Sequence, residues 1–266
     1  MKENSIEESS GLLNVSATDE ESQEQQLKID NNKYLIERNL KTQTYDKSVK
    51  VILLGDSMVG KSSIIHRLLK EEFNEDLGPT LSIEYFNYYI KVNDSIIRLQ
   101  IWDTAGQEKF NSIVKNYCQN TDYGIFVYSI DNLESFFRIK DWLIFSQENN
   151  MKTENNQMKH ILLGNKKDLG DDARKVSFLD GEKFSKNNNF FIFKEISCKD
   201  DDENTKNNFL ELFDEIAKNS YNDFIGRRRS TVDSDSFNYV ASNTMMELSA
   251  KNKMKKSKDK SKKKCC

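Results

Sequence analysis

The stretch Val49-Lys50-Val51-Ile52-Leu53-Leu54-Gly55-Asp56-Ser57-Met58-Val59-Gly60-Lys61-Ser62-Ser63 decides the fold. Val51 to Leu54 is a short apolar run closed by a glycine, which reads as a buried parallel strand. Gly55 to Ser62 fits G-x-x-x-x-G-K-[ST], and Ile64, Ile65, Leu68 and Leu69 then recur at helical spacing. Strand, glycine-bounded loop and helix are the context this motif requires. Backbone N–H groups of such a loop (Gly55, Asp56, Ser57, Met58, Val59, Gly60, with Lys61, Ser62 and Ser63 opening the helix) face a concavity. The helix start adds positive partial charge. A polyphosphate fits there, with Lys61 reaching its β- and γ-phosphates and the Ser62 hydroxyl on a magnesium ion.

Outward from this stretch, residues 48–221 alternate strands and helices. Strands are expected near Ile83–Val92, Ile96–Asp103, Tyr123–Ile130, His160–Leu163 and Phe190–Ile196. Helices are expected at Lys61–Glu72, Glu134–Glu148 and Phe178–Lys186, with a last one carrying Phe209, Leu212, Phe213 and Ile216. Asn93-Asp94 reads as a hairpin turn. The pattern predicts an α/β fold: a mostly parallel sheet covered by helices on both faces, with one antiparallel edge strand. Ligands on such sheets bind outside the carboxyl ends of the strands, where Gly55, Asp103 and Gly164 fall.

The flanks differ. Residues 1–46 are rich in Glu, Gln, Ser and Asn, and are expected to be a disordered acidic extension, with a weak helical tendency near Lys28–Leu40. From Asn222 the apolar pattern stops, so residues 222–264 read as a flexible tail. Its segment Lys251–Lys264 holds nine lysines and one acid and is followed by Cys265-Cys266. Net charge is −3, yet residues 222–266 carry twelve bases against five acids. The four cysteines form no even framework and point to a reducing compartment. The first thirty residues are polar, so no signal peptide is expected. No run reaches the apolar length of a membrane-spanning helix, so membrane contact is expected from an anchor. His66 and His160 read as structural, with no metal-ligand spacing to the cysteines.

Three further stretches lie at strand ends. In Trp102-Asp103-Thr104-Ala105-Gly106-Gln107-Glu108, an aspartate leaving an apolar strand suits magnesium, because hard cations prefer oxygen. Gly106 lets a backbone N–H approach a terminal phosphate. Gln107 is placed to orient a water for in-line attack. In Asn165-Lys166-Lys167-Asp168, a carboxylate suits the paired N–H donors of a guanine edge, which adenine lacks; Asn165 suits the N7 side, and the Lys166 stem covers the ring. Ser197-Cys198-Lys199 offers backbone donors to the guanine oxygen.

With these motifs in this order, the chain resembles the Ras-superfamily small GTPases, and among them the Rab family. The resemblance covers residues 48–221 and rests on GDSMVGKSS, WDTAGQE, GNKKD and SCK. It implies a six-stranded P-loop small-GTPase fold, GTP and GDP binding with Mg2+, GTP hydrolysis and two switch regions. On the matching positions, Thr80 is the switch threonine that joins magnesium in the GTP form. Phe73 is the aromatic edge-on to guanine. Asp103 is the magnesium-site aspartate, Gly106 the γ-phosphate donor, and Gln107 the catalytic, water-orienting glutamine. Asn165, Lys166 and Asp168 match the guanine site, with Cys198 where alanine is usual. Arg98-Leu99-Gln100-Ile101-Trp102, Lys109-Phe110-Asn111-Ser112-Ile113 and Phe126-Val127-Tyr128 favour Rab over Ras, Rho or Arf. Tyr85, Trp102 and Tyr117 match the aromatic triad that Rab effectors read. The terminal Cys265-Cys266 resembles a Rab lipidation site, where Ras and Rho members end in C-a-a-X.

The resemblance further implies an exchange factor, a GTPase-activating protein, a GDP-dissociation inhibitor, an escort protein with its prenyltransferase, and effectors. It implies a monomer on the cytoplasmic face of endomembranes with a cytosolic pool, held by geranylgeranyl chains and the polybasic tail, without a nucleic-acid partner. The chain departs from the family at Leu81-Ser82-Ile83-Glu84-Tyr85, where Rabs read Ile-Gly-Val-Asp-Phe, and at Met58, Cys118–Thr121 and Ser129. Two other classes fit the phosphate loop alone. A nucleotide kinase would need a second substrate site and a lid, and no stretch supplies them. A GTPase-like binding scaffold that no longer cycles would keep the nucleotide motifs, and Met58 and the altered switch sequence bear on that reading.

Overall fold

The computed structural model describes residues 28–29, 34–78, 80, 83–104, 111–150 and 157–228, with the backbone alone at 28–29 and 111–113. Eight strands form one sheet in the order β1-β2-β4-β5-β3-β6-β7-β8. They are β1 Lys28–Ile29, β2 Leu35–Arg38, β3 Lys47–Leu54, β4 Glu84–Val92, β5 Ser95–Asp103, β6 Tyr123–Ser129, β7 Lys159–Asn165 and β8 Ile192–Glu195. From β5 through β3 to β8 every pairing is parallel, while β1–β2, β2–β4 and β4–β5 are antiparallel.

The helices are α1 Lys61–Lys70, α2 Asn111–Cys118, α3 Leu133–Phe137, α4 Ile139–Asn149, α5 Gly170–Ala173, α6 Phe178–Asn187 and α7, residues 203–228. Local chemistry sets several ends. Asn132 caps α3 by accepting from the Ser135 N–H, and Ser177 caps α6 by accepting from Asp180. α1 stops at Glu71, whose backbone is left-handed.

Strand periodicity divides the core. Side chains alternate across a strand, so Val51 and Leu53 of β3 face one way and Ile52 and Leu54 the other. The first pair joins Ile64, Leu68, Leu99, Phe209 and Phe213, under α1 and α7. The second joins Val114, Phe126, Tyr128, Trp142 and Leu162, under α2, α4 and α6. Val51 to Leu54 are fully buried, as a central parallel strand covered on both faces must be. β5, in the antiparallel part, instead alternates buried and half-buried residues along its length.

Several expectations are corrected here. The sheet has eight strands rather than six, because β1 and β2 extend it beyond the hairpin. Residues 34–46 are therefore ordered parts of the fold rather than a disordered arm, and 28–29 and 35–38 are strand where a helical tendency was read. The reason is the free edge of β4, whose backbone groups pair with any strand of suitable chemistry. Ile36 is buried opposite Val92, and the Asn93 side chain accepts from the Leu35 N–H at 3.0 Å. The last helix also runs past 221 to 228, and the helix expected at Glu134–Glu148 is broken at Arg138 into α3 and α4.

Candidate functional site

The cleft opens where β3, β5 and β7 end, as the switch-point argument requires. Gly55 leaves β3 with φ +147°, and a Cβ there would lie 2.2 Å from the Val127 carbonyl oxygen. Gly60 has φ +96°, and a Cβ would lie 2.2 Å from Asn165 Nδ2. Only glycine fits at both. That clearance lets Asn165 Nδ2 donate to the Val59 carbonyl at 2.9 Å, fastening the loop to the end of β7. No side chain caps the α1 N-terminus, so its first N–H groups are available to an acceptor in the cleft.

Lys61 is 5% exposed. Its Nζ donates to the carbonyls of Gly55 at 2.9 Å and Asp56 at 2.8 Å. An ammonium has three donors, so one remains for an anion. Burial lowers its pKa to about 8, opposed by the carboxylates of Asp103 and Asp56.

Ser62, Thr80 and Asp103 converge beside it. Ser62 Oγ donates to Asp103 Oδ2 at 2.6 Å and lies 2.5 Å from Thr80 Oγ1. Asp103 is 5% exposed, and its other oxygen, Oδ1, has no hydrogen-bond partner among the described residues. Burial raises the Asp103 pKa, which the Ser62 hydrogen bond and the Lys61 charge oppose. Two hydroxyls and a carboxylate with an unsatisfied buried oxygen are an oxygen donor set that fits a hard divalent cation.

The opposite wall is built from the ends of β7 and β8. Asp168 sits in a short 3-10 turn after Lys166, whose backbone is left-handed. Ser197 Oγ donates to Asp168 Oδ1 at 2.7 Å and accepts from the backbone N–H groups of Lys199 and Asp200. That fixes the carboxylate. Cys198 is buried, with Sγ 3.5 Å from Asn165 Oδ1, and burial pushes its thiol up to about 12, so it acts as packing. Phe73, Leu77 and Gly78 line the remaining side.

Most of the residues read from the sequence meet here: Ser57, Met58, Gly60, Lys61, Ser62, Ser63, Phe73, Thr80, Asn165, Lys166, Asp168, Cys198 and Lys199 all line the cleft. The Asp56 side chain does not. Its carboxylate is held by the Trp142 indole N–H at 2.9 Å and by Arg138 at 3.1 Å. That ties the loop to α4 and leaves only the Asp56 backbone for a ligand. Val59 is likewise core, contributing its carbonyl. Gly106, Gln107, Ser82, Cys265 and Cys266 lie outside the described residues.

Sequence reasoning missed the supports. Arg67 of α1, 3% exposed, donates to the Asp200 carbonyl at 3.0 Å and so holds the loop that carries Ser197. Lys199 Nζ meets Glu75 Oε1 at 2.7 Å, joining the two walls. Neither pair has a fixed sequence offset that could have revealed it.

Tyr85, Trp102 and Tyr117 come together on the outer face. Their ring centroids are 5.0 Å apart for Tyr85–Trp102 and 4.8 Å for Trp102–Tyr117. His66 and His160 stay outside the cleft. The His160 ring packs against Phe126 and Phe190, and burial lowers its pKa to about 4. Among the described residues no helix is long and apolar enough to cross a membrane.

The sequence profile described as the Ras family matches residues 50–218. Ras-related protein Rab-11B of Dictyostelium discoideum is 37% identical over 66% of this chain and 77% of its own length. Ras-related protein RABF2a of Arabidopsis thaliana is 39% identical over 64% of this chain and 80% of its own. Ras-related protein Rab-4A of Mus musculus is 33% identical over 68% and 78%. The chain is a Rab-family small GTPase. As such it is a GTP-hydrolysing switch of the class that serves vesicle traffic. All three matches leave about a third of this Rab outside them, and strands β1 and β2 precede the span matched by the family profile.

Proposed function

We propose that this Rab binds GTP with magnesium in the cleft described above, hydrolyses it slowly to GDP, and signals through the segments at Thr80 and Gln107. The carrying observation is the convergence of Ser62, Thr80 and Asp103 beside the buried Lys61, with one Asp103 oxygen unpartnered. Lys61, the loop amides and the α1 N-terminus hold the phosphates. Ser62, Thr80 and Asp103 hold the cation, which when bound neutralises phosphate charge. Asp168, locked by Ser197, accepts from the guanine edge, Asn165 and Lys166 flank the ring, and Phe73 covers its side.

Gly106 donates to the γ-phosphate, and Gln107 orients the attacking water. The phosphate loop carries no arginine. An activating partner that supplies one should accelerate hydrolysis by roughly three to five orders of magnitude. With the γ-phosphate gone, Gly106 loses its acceptor and Thr80 its place on the cation, and their segments are released. Effectors then read Tyr85, Trp102 and Tyr117 only in the ordered state.

The lysines at 251–264 and two geranylgeranyl chains on Cys265 and Cys266 form the membrane address, since two lipid anchors hold stably where one is marginal. This reading puts the protein on the cytoplasmic face of an endomembrane, with an inhibitor-bound cytosolic pool. Competition of GTP, GDP and ATP for the purified full chain, followed by single-turnover hydrolysis, tests the site. A preference for guanine nucleotides with measurable turnover is expected. Equal affinity for ATP would overturn the base site, and tight GTP binding without turnover would favour the non-cycling scaffold.

A further inference from the structure

Gly55 to Gly60 join β3 to α1, and the middle of this loop is fastened on either side. Asn165 Nδ2 donates to the Val59 carbonyl at 2.9 Å, and the Asp56 carboxylate is tied to α4. Ser57 and Met58 span the stretch between these ties, and both line the cleft. Met58 has φ +66°. A residue with a Cβ resists that conformation. Met58 is also 73% exposed, so its side chain brings little packing to offset the strain. Surroundings that over-determine the loop must hold it there.

The tie to α4 is built to do so. The Trp142 backbone N–H donates to the Arg138 carbonyl at 3.1 Å, so the two residues are one turn apart and their side chains are neighbours on the helix surface. Trp142 is 5% exposed, in the same core layer as Leu54, the last residue of β3 before the loop. A buried indole has a single N–H donor and needs an acceptor. Asp56 Oδ1 is that acceptor at 2.9 Å, and Arg138 Nε pairs with the same oxygen at 3.1 Å. A hydrogen bond to a carboxylate is stronger than one between neutral groups. The packed layer under α4 thereby fixes the backbone of Asp56, the residue before Ser57 and Met58.

We propose that Arg138 and Trp142 are positioning residues of the phosphate loop, a role that rests on the loop being a nucleotide site. Through the Asp56 carboxylate they keep Met58 at positive φ, the conformation in which successive loop N–H groups make a concavity for an anion. Without them Met58 relaxes, the concavity is lost for part of the time, and the nucleotide leaves faster. Retention of GDP is then set from α4, on the far side of the loop from the ligand.

The test uses the full-length chain loaded with N-methylanthraniloyl GDP, whose release into excess GDP is followed by fluorescence. Arg138→Ala and Trp142→Phe should each speed release by about tenfold, the loss of one charge-assisted hydrogen bond or ion pair. Asp56→Asn keeps an acceptor for the indole but not the charge, and should resemble Arg138→Ala. In an Asp56→Ala background, Arg138→Ala and Trp142→Phe should change the rate by less than about twofold, because their contact is already gone. Met58→Gly, which accepts positive φ without strain, should recover most of the loss in Arg138→Ala. Loosened packing of α4 would give neither the non-additivity nor the rescue.

Release at the parental rate from both Arg138→Ala and Trp142→Phe overturns the proposal. Additive effects in the Asp56→Ala background, or no recovery with Met58→Gly, assign the change to helix packing and overturn it as well. These outcomes leave the nucleotide site standing. If the parent chain itself takes up no guanine nucleotide, the reading of the cleft falls, and the role of Arg138 and Trp142 falls with it.

Discussion

At the scale of single residues, the cleft depends on a few side chains whose freedom has been removed. Asp168 is one. With Ser197 Oγ on one oxygen, the other is left for the purine edge of the proposed base site. Asp168→Asn should exchange an acceptor for a donor, lowering GTP affinity on the order of a hundredfold or more while raising that for xanthosine triphosphate. Equilibrium competition between the two nucleotides reads this, and unchanged selectivity would remove Asp168 from the base site. Gln107→Leu should preserve GTP affinity and slow single-turnover hydrolysis on the order of tenfold or more. Equal turnover would take Gln107 out of the reaction.

Lys61 gives a prediction in pH. Burial lowers its pKa to about 8 in the free protein, and a bound polyphosphate favours the charged form and raises it. The complex therefore holds more protons than the free protein above about pH 8. Nucleotide affinity should be flat below that value and fall up to about tenfold per pH unit above it, until the pKa of the complex is reached. Calorimetry in buffers of different ionisation enthalpy measures the proton taken up: near zero at about pH 7, and rising toward one above about pH 8. No uptake would mean that Lys61 does not touch the phosphates.

At the scale of elements, β2 is the least expected part; its Arg38 forms an ion pair with the buried Asp214 of α7, Nε donating to Oδ1 at 2.8 Å. Removing Arg38 leaves the Asp214 carboxylate buried without its guanidinium. Arg38→Ala should therefore lower stability by about 3 kcal/mol in urea unfolding. The double change Arg38→Leu, Asp214→Leu should recover much of that loss. If Arg38→Ala is neutral, β2 is not held by that pair.

The central strands were legible because Val51–Leu54 and Tyr123–Ile130 are apolar enough to name their environment, and the hairpin because Asn93-Asp94 sits between two alternating runs. The cleft was legible because its groups come in short fixed-spacing motifs at strand ends. β2 was not. Leu35-Ile36-Glu37-Arg38 lies in polar surroundings, and it is a strand because the edge of β4 and Asp214, far along the chain, receive it. The place of the Asp56 carboxylate was illegible for the same reason: the loop motif speaks for its backbone N–H, while Trp142 and Arg138 of other elements claim its side chain. Contacts of that kind are set by tertiary packing and leave no local pattern.

At the scale of the whole molecule, the nucleotide cleft and the proposed membrane address are separate. The nucleotide site lies at the strand ends, and the basic tail leaves from the far end of α7. Cys265→Ser with Cys266→Ser should release the protein from membranes in cells while leaving GTP affinity and hydrolysis in vitro within about twofold of the parent. Fractionation of cell extracts reads the first and single-turnover assays the second. Persistent membrane association of the double variant would mean that lipidation is not the anchor.

The reach of β2 along β4 has one more consequence. It pairs with Ile90–Val92, and among the described residues no strand lies beside Glu84–Asn87 on that side. A protein that recognised this GTPase by lengthening its sheet would find the distal half of β4 already spoken for. On β4 itself, the rail left among the described residues is Glu84–Phe86, a few positions after Thr80, so a visitor docking there would sense the nucleotide through the main chain itself.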